Sequence, residues 1–549
     1  MAVTALAHPP FQLVDKAVFK PRAAGLFDDL LFPHPGVANV DLDSIPHLRQ
    51  ALSTLDLRMR TLADQRSQVE TRLASVVALQ SPIRKLPREI LAVVFAAGVR
   101  ELDDEDPLFL PRLTLVCRYW RDVAVDTPEL WSRIAIDRHG GLERARRRVE
   151  RSKAVLLDIS IDFSSRSTPN SVTDTVSRAM DLLRPETFRW RSFRLSVPHR
   201  APALAALSRC TERAPKLERL VVSVHMPFLD ALCPDTASLA AGSAPLFRGH
   251  TPRLRDVQLE SSPIACAFNA AGGALLRNLR SLRLVGLCGD EAPGVGPLLA
   301  VLRACPALED LSLRNMEDIA LQAAYVPSPP IVHLPFLRTA SFSFCGVSRV
   351  TALLERLCFP ALERIEFAHL DNISPALQML KRQALAAPHP ACAPREYAAL
   401  VAHGRPRPTE PFGLASLRAL RIESSLFNEL KLMRILRRLR RIQTLELVEC
   451  EDVSANFLRG LGAPPPGMGH EWILPELSHL VLDGCSGVEW DGIRVLVEQR
   501  GAPLSASDVA PLCKLDVSRC SHMGRERVQW LRMYVRDVRC ERERAVWTI

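Results

Sequence analysis

The chain has 549 residues, 47% apolar and 24% charged, enough for two or more domains or one extended repeat array with an ordinary core. Its net charge of +10, from 71 basic and 61 acidic side chains, is a modest excess that a solvated basic face explains without a polyanionic partner. Aromatic residues make up only 6%, which argues against an aromatic-rich β-sandwich and, with the heavy use of leucine, favours stacked helices and short strands. The 14 cysteines are scattered singly, with no C-x-x-C pair and no zinc-ligand spacing, so reduced, mostly buried thiols and no metal are expected. No apolar run is long enough to span a membrane, and the start lacks a secretory pattern, so the expected setting is cytoplasmic or nuclear.

Residues 1–40 are rich in Pro, Ala and Gly and predict a flexible lead. Over 41–80, Leu48, Leu52, Leu55, Met59, Leu62, Val69, Leu73 and Val76 recur in alternating steps of four and three. This heptad seam, interrupted only by Arg66, predicts one long amphipathic helix. Such a seam pairs with a second copy, giving a homodimer, or folds back on its own chain.

Residues 81–136 carry three proline-led helix starts. Pro87 opens a helix bearing Ile90, Leu91, Val94 and Phe95 on one face, and Gly98 is read as its stop. Pro111 leads into Leu113, Val116, Cys117, Trp120 and Val123, the stripe of a helix or a bent helix pair. Thr127 and Pro128 read as a cap and first-turn residue ahead of Leu130 and Trp131. Helices this short and few leave apolar surface for something else to cover.

The motif Leu86-Pro87-x-Glu89-Ile90-Leu91, followed by Leu115-Val116-Cys117-Arg118-Tyr119-Trp120-Arg121, strongly resembles the F-box, with Thr127 to Trp131 matching what often follows in fungal members. The acidic insert Glu101 to Pro107 lengthens the connection between the two halves. The resemblance implies docking on a Skp-type adaptor that bridges to a cullin in a ubiquitin ligase. By matching positions, Leu86, Pro87, Ile90, Leu91, Leu113, Val116, Cys117 and Trp120 form the motif's hydrophobic, adaptor-binding set, while Leu115 and Val123 read as plain core.

Gly141 to Lys153 is a basic helical stretch, and Val155 to Phe163 alternates as a strand should. The arginines there, like those of Lys431 to Arg441, lack interleaved aromatic side chains and any nucleic-acid-binding motif, so no nucleic acid is expected. From residue 190 the pattern L-x-x-L-x-L, with other apolar residues allowed, occurs eleven times, from Trp190/Phe193/Leu195 to Leu512/Leu515/Val517. Pro215, Pro252, Pro306, Pro335, Pro360 and Pro475 each stand two residues before a copy. The mean step from Leu217 to Leu362 is about 29 residues, within the leucine-rich-repeat range.

The expected fold class is therefore α/β: a long helix and a three-helix F-box, then over 137–549 a degenerate leucine-rich-repeat-like solenoid with parallel short strands and outer helices. The step from Leu362 to Leu417 is doubled by a Pro/Ala-rich insert near 385–412, which reads as a loop or one decayed copy, and Arg525 to Arg544 reads as a capping helix. Nucleophile elbow, phosphate loop, metalloprotease and dinucleotide motifs are absent, so a non-catalytic protein without cofactor is expected. The resemblance makes the chain a substrate receptor that holds a protein target near the ligase's catalytic subunits. Arg283, Arg314, Glu366, Arg421, Glu446 and Asp483, beside the strands, are the candidate target contacts. The alternative is a repeat scaffold in which the F-box-like helices only cap the solenoid.

Overall fold

The structure is a computed structural model that describes residues 44–80, 82–102, 108–137, 141–164, 169–225, 246–262, 275–287, 292–316, 331–385, 414, 416–462, 472–501, 509–520 and 523–541. The expected lead, most of the acidic insert and the insert after residue 385 lie outside them. Packing divides the chain into two units, Met1–Leu91 and Ala92–Ile549.

The first unit is dominated by the helix Ser44–Gln80. Pro46 falls in its first turn, where a missing N–H leaves no bond unmade. The eight apolar heptad residues are each more than half exposed, and Arg66 is tied instead to Glu70 one turn on, at 2.7 Å. A turn at Pro82–Lys85 leads to the helix Arg88–Leu102.

The second unit is built on one 14-stranded sheet, every pairing in it parallel. The strands are β1 (Arg133–Asp137), β2 (Leu157–Asp162), β3 (Trp190–Val197), β4 (Arg219–Val224), β5 (Asp256–Glu260), β6 (Ser281–Val285) and β7 (Asp310–Met316). They continue through β9 (Thr339–Cys345), β11 (Arg364–Ala368), β12 (Ala419–Glu423), β13 (Thr444–Val448), β14 (His479–Val481), β15 (Lys514–Asp516) and β16 (Asp537–Arg539). They lie side by side in chain order; β8 (Val332–His333) and β10 (Leu357–Cys358) form a separate pair. Helices occupy the connections, and 14 are seen among the described residues of the whole chain.

All eleven copies of the sequence pattern fall on this sheet, at β3 to β7, β9 and β11 to β15, and every apolar residue that defines them is buried. The prolines that introduce them have a geometric reason. Each occupies the second position of a tight turn closed by the first leucine of the copy, as in Leu254 N to Thr251 O and Leu308 N to Cys305 O, both 3.1 Å, where its fixed φ is already correct.

Two further regularities link neighbouring copies. From Glu218 to Ser478, the carbonyl at the second position of each copy accepts two amides of the next: Arg280 O takes Glu309 N at 2.7 Å and Asp310 N at 3.0 Å, for example. Two residues past the last apolar position, nine successive copies carry a residue with φ between 41° and 68°: Ser261, Gly286, Asn315, Phe344, His369, Ser424, Glu449, Gly484 and Arg519. This left-handed residue turns the chain so that the next side chain enters the core, as with Cys345, Leu370, Cys450 and Cys485. A non-glycine there costs about 1–2 kcal/mol. Each buried leucine returns about 1.5–3 kcal/mol, so one well-placed core side chain offsets the strain.

Cysteine recurs at that core position because its thiol donates to the preceding copy's strand carbonyl: Cys345 to Leu313, Cys450 to Ile422, Cys485 to Leu447 and Cys520 to Leu482. Burial pushes the Cys210 and Cys520 thiols up to about 12, which keeps them protonated.

Several expectations need correction. The terminal helix spans only Arg525–Tyr534; Val535 is buried and extended, and Asp537–Arg539 alternates about buried Val538 to add β16 to the sheet edge. The basic stretch Lys431 to Arg441 is helical only as far as Leu436, in the helix Glu429–Leu436, and Gly460 and Gly462 lie in the helix Ala455–Gly462. β11 pairs directly with β12, so the doubled step contributes no extra strand to the sheet.

Adjacent helices touch through glycines. A Cβ on Gly492 would stand 2.9 Å from Ala455 Cα, and one on Gly462 2.8 Å from Leu496 Cα. Gly492→Val is therefore expected to lower unfolding stability by about 2–4 kcal/mol. Gly296→Ala, in open space within the helix Val295–Arg303, should be neutral or raise it slightly. Thermal melts of the two variants against the parent check both.

Candidate functional site

The stretch resembling the F-box begins in the first unit. Leu86 is half-buried, Pro87 and Ile90 are exposed, and Leu91 is fully buried; the Leu91 amide donates to the Pro87 carbonyl at 3.1 Å, starting the helix. Glu89 in the first turn and Arg100 in the last complement the helix dipole.

Within the second unit the same helix continues to Leu102, so Gly98 does not stop it. Gly98 is instead a point of contact, where a Cβ would meet the Phe109 ring at 2.7 Å. The chain then forms two short helices, Phe109–Val116 and Arg118–Val125, broken at Cys117, whose extended backbone lets its sulfur accept the Trp120 amide at 3.5 Å. Phe95 packs on Trp120 with ring centroids 4.9 Å apart. Phe95, Val99, Leu110, Leu113, Val123, Ala124, Leu130 and Trp131 are buried. Trp131 donates its indole N–H to Ala124 O at 2.8 Å and carries Arg151 over its ring at 4.4 Å. Thr127 does not cap the turn Pro128–Trp131; its hydroxyl donates back to Val123 O at 2.7 Å.

Exposure separates the eight sequence-predicted adaptor contacts. Pro87, Ile90 and Val116 face solvent, Leu86, Cys117 and Trp120 are half-buried, and Leu91 and Leu113 are buried. Leu115, expected in the core, is 73% exposed. Val93, Val94 and Leu108 are also exposed, and Val93 and Leu108 were not singled out by the motif. The missed signal is helix phase: Leu91, Phe95 and Val99 repeat every four residues on the buried side, whereas Ile90, Val93 and Val94 lie at i, i+3 and i+4 on the other.

Residues 83–137 match the F-box-like family model. No curated protein matches the chain. F-box domains typically bind Skp-type adaptors, and F-box proteins are generally non-catalytic subunits, so the domain suggests a role in substrate recognition by a cullin-based ubiquitin ligase. No helix among the described residues is long and apolar enough to cross a membrane.

The candidate target contacts lie on the side of the sheet opposite the buried residues of its strands. Arg283, Glu366, Arg421 and Glu446 share one register row, connected through Ser312 and Ser341. Arg314 stands one row further on, between Val285 and Ser343. Asp483 lies past the end of β14. Arg421 meets Glu446 at 2.8 Å, Glu423 at 2.5 Å and Glu366 at 3.5 Å, and Arg364 reaches Glu446 at 3.1 Å. Asp483 pairs with Arg519 at 2.7 Å, and Arg519 passes beside Gly484 to reach Glu449 at 2.5 Å. Arg283 and Arg314 are exposed and make no ion pair among the described residues.

The basic helix Leu142–Arg151 is partly spent on structure: buried Arg148 donates to Arg133 O at 2.6 Å, and Arg147 pairs with Glu143 at 3.2 Å. Buried Arg500 acts similarly, donating to the carbonyls of Leu461, Ile473, Leu474 and Leu477.

The hydrogen bond from Ser424, then that from Arg519, holds the Glu449 carboxyl below its ordinary range. A carboxyl depressed in the folded state stabilises the fold above its unfolded pKa, and that contribution is lost as pH falls through the folded value. Hydrogen exchange over β13 to β15 should therefore accelerate as pH is lowered past the usual carboxylate range, after correction for the intrinsic rate, and Glu449→Gln should flatten that dependence.

Proposed function

We propose that the chain is a substrate receptor of a Skp–cullin–F-box ubiquitin ligase, working in the cytoplasm or nucleus. The observation that carries the reading is the exposure of Val93, Val94, Leu108, Leu115 and Val116 beside a closed core of Phe95, Leu110, Leu113 and Val123. Helices that merely capped the sheet would be expected to bury such side chains; an adaptor-docking surface keeps them in solvent until the partner arrives. The second unit is read as a degenerate leucine-rich-repeat solenoid. The repeated carbonyl ladder and left-handed turns support this, since each copy contacts its neighbours by the same bonds.

The solenoid's open strand face, with Arg283, Arg314, Glu366, Arg421 and Glu446, holds a protein target. The chain supplies no chemistry of its own. It raises the effective concentration of a target lysine near the ubiquitin-loaded enzyme, while bond making occurs on other subunits.

Val94→Asp combined with Leu115→Asp should reduce recovery of the Skp-type adaptor at least a hundredfold while leaving the melting curve in place, because both side chains are already in water. Phe95→Ala should instead destabilise the domain by about 3–5 kcal/mol. Undiminished adaptor recovery with the double variant would return the domain to the role of a cap on a scaffold protein.

The helix Ser44–Gln80 is read as a self-association element. Eight exposed apolar heptad residues exceed what a lone surface helix leaves in water, and a second copy presents the same stripe. Light scattering of the purified chain should give twice the 61.0 kDa chain mass, and Leu55→Glu with Leu62→Glu should give the monomer.

A further inference from the structure

On the open face of the sheet, arginines fall into two groups. Arg191, Arg364, Arg421, Arg519 and Arg539 each have a carboxylate partner: Asp158 for Arg191, Glu446 for Arg364 and Arg421, Asp483 and Glu449 for Arg519, Asp516 and Glu541 for Arg539. Arg194, Arg219, Arg283 and Arg314 have none among the described residues; of these, Arg283 and Arg314 stand on adjacent strands, β6 and β7, with no carboxylate directly beside them in register, whereas Arg219 faces Asp256. The register neighbours of the β6–β7 pair are hydroxyl or amide side chains, Gln258 and Ser312 for Arg283 and Ser343 for Arg314, apart from Val285. These groups can donate to an anion but cannot neutralise a guanidinium.

Spacing gives the pair a further property. Strand separation and the two-residue offset put their backbones roughly 8 Å apart, and same-side groups on an extended chain recur every 6.5–7 Å or so. Long arginine side chains span that difference. One strand on, the residue after Ser343 is Phe344, 46% exposed although held at φ 49° and stacked flat on His369 with ring centroids 4.0 Å apart. The left-handed turn recurs at this place in nine copies; in these two it sets a pair of aromatic rings side by side at the end of the strands.

We propose that Arg283, Arg314 and the Phe344–His369 stack form a docking site for an extended peptide bearing two anionic side chains at alternate positions and an apolar side chain beyond them. The anions are carboxylates or phosphates; both offer the oxygen pair that a guanidinium grips bidentately. The site rests on the reading of the strand face as the target-binding surface and gives that target its chemistry. A nucleic acid fits less well. Two unpaired cations on adjacent strands are few for a phosphodiester chain, and Glu260, in the register row of Arg314, and Asp310, two residues before Ser312, limit how many anions this part of the face takes.

The test is fluorescence anisotropy of the full-length chain at about 0.15 M salt with a library of 12-residue peptides in three matched series. These carry Glu, phosphoserine or Ser at two alternate positions, each with Phe, Leu or Gly varied beyond them. At least one anionic series should bind tenfold or more tighter than the Ser series, and the difference between the Glu and phosphoserine series identifies the anion. Arg283→Glu with Arg314→Glu should remove that advantage, and Phe344→Ala should remove the preference for Phe or Leu over Gly. Arg219→Glu, on β4 of the same sheet, should leave both in place.

Equal binding by the three series, an unaffected charge-reversed variant, or tighter binding of a 12-nucleotide single strand would each overturn the proposal. Adaptor recovery measured on the same variants separates the two readings. Adaptor binding without anionic selectivity refutes this site alone, whereas anionic selectivity without adaptor binding refutes the receptor role and leaves the peptide site standing.

Discussion

The second unit depends on how each copy of the pattern hands its backbone to the next. The carbonyl just before a strand accepts two amides from the following copy, and the left-handed residue just after the strand donates its own amide there, as Glu449 does to Asp483 and Gly484 to Ser518. The strand is thus fixed at both ends, although its length runs from 8 residues in β3 to 3 in β14 and β15. The polar backbone is satisfied by neighbours of the same kind, which lets the buried positions be almost entirely leucine, isoleucine, valine and phenylalanine. An insertion between copies leaves this bonding unchanged. Glu363 O accepts Arg418 N and Ala419 N across the longest connection as closely as Arg418 O accepts Gln443 N and Thr444 N across an ordinary one.

A consequence is that side chains on the open face are held in straight rows, so charge is compared between strands rather than along the chain. Arg421 can satisfy three carboxylates because Glu366 and Glu446 stand at its own register height on either side and Glu423 two residues ahead. These groups are roughly a quarter exposed or less, so their attraction is screened less than that of a surface pair. Gly484 shows the same logic in reverse. With no side chain in its row, Arg519 can cross to Glu449 two copies away, and a Cβ there would stand 2.9 Å from the Glu449 side chain.

Much of this was legible in the sequence, and the rest was hidden for identifiable reasons. The pattern from Trp190 to Val517 located eleven strands because period-two burial and a preceding proline turn leave a mark in the residues themselves. β1 and β16 escaped because Ile134 and Ile136, or Val538 alone, make too short an alternation to stand out from helix-like surroundings. The left-handed row was unreadable, since only Gly286 and Gly484 carry the residue that normally announces positive φ, while Phe344, His369, Glu449 and Arg519 are driven there by their neighbours. The cysteine three residues past the last apolar position of a copy was visible as a recurrence at 345, 450, 485 and 520, but a metal search looks for clusters and passes over a ladder. In the candidate site the helix phase went unread: Leu91 and Leu113, placed in the docking set, are buried, and Leu115, placed in the core, is exposed, because motif matching ignores which way a helix faces.

That phase error points to how the F-box-like domain is constrained. Val93 and Val94 share one helix with Phe95 and Val99, so the exposed and buried stripes stand back to back on the same two turns of backbone. Gly98 lets Phe109 approach this helix closely, and Phe95 fixes Trp120 against it, so the core decides the rotation at which the outer stripe is displayed. A partner that covers Val93 and Val94 would stabilise the folded domain by mass action, and a change in the core would rotate or loosen the surface offered to it. Surface and core cannot vary independently here, because turning the helix to bury Val94 would bring Phe95 out into water.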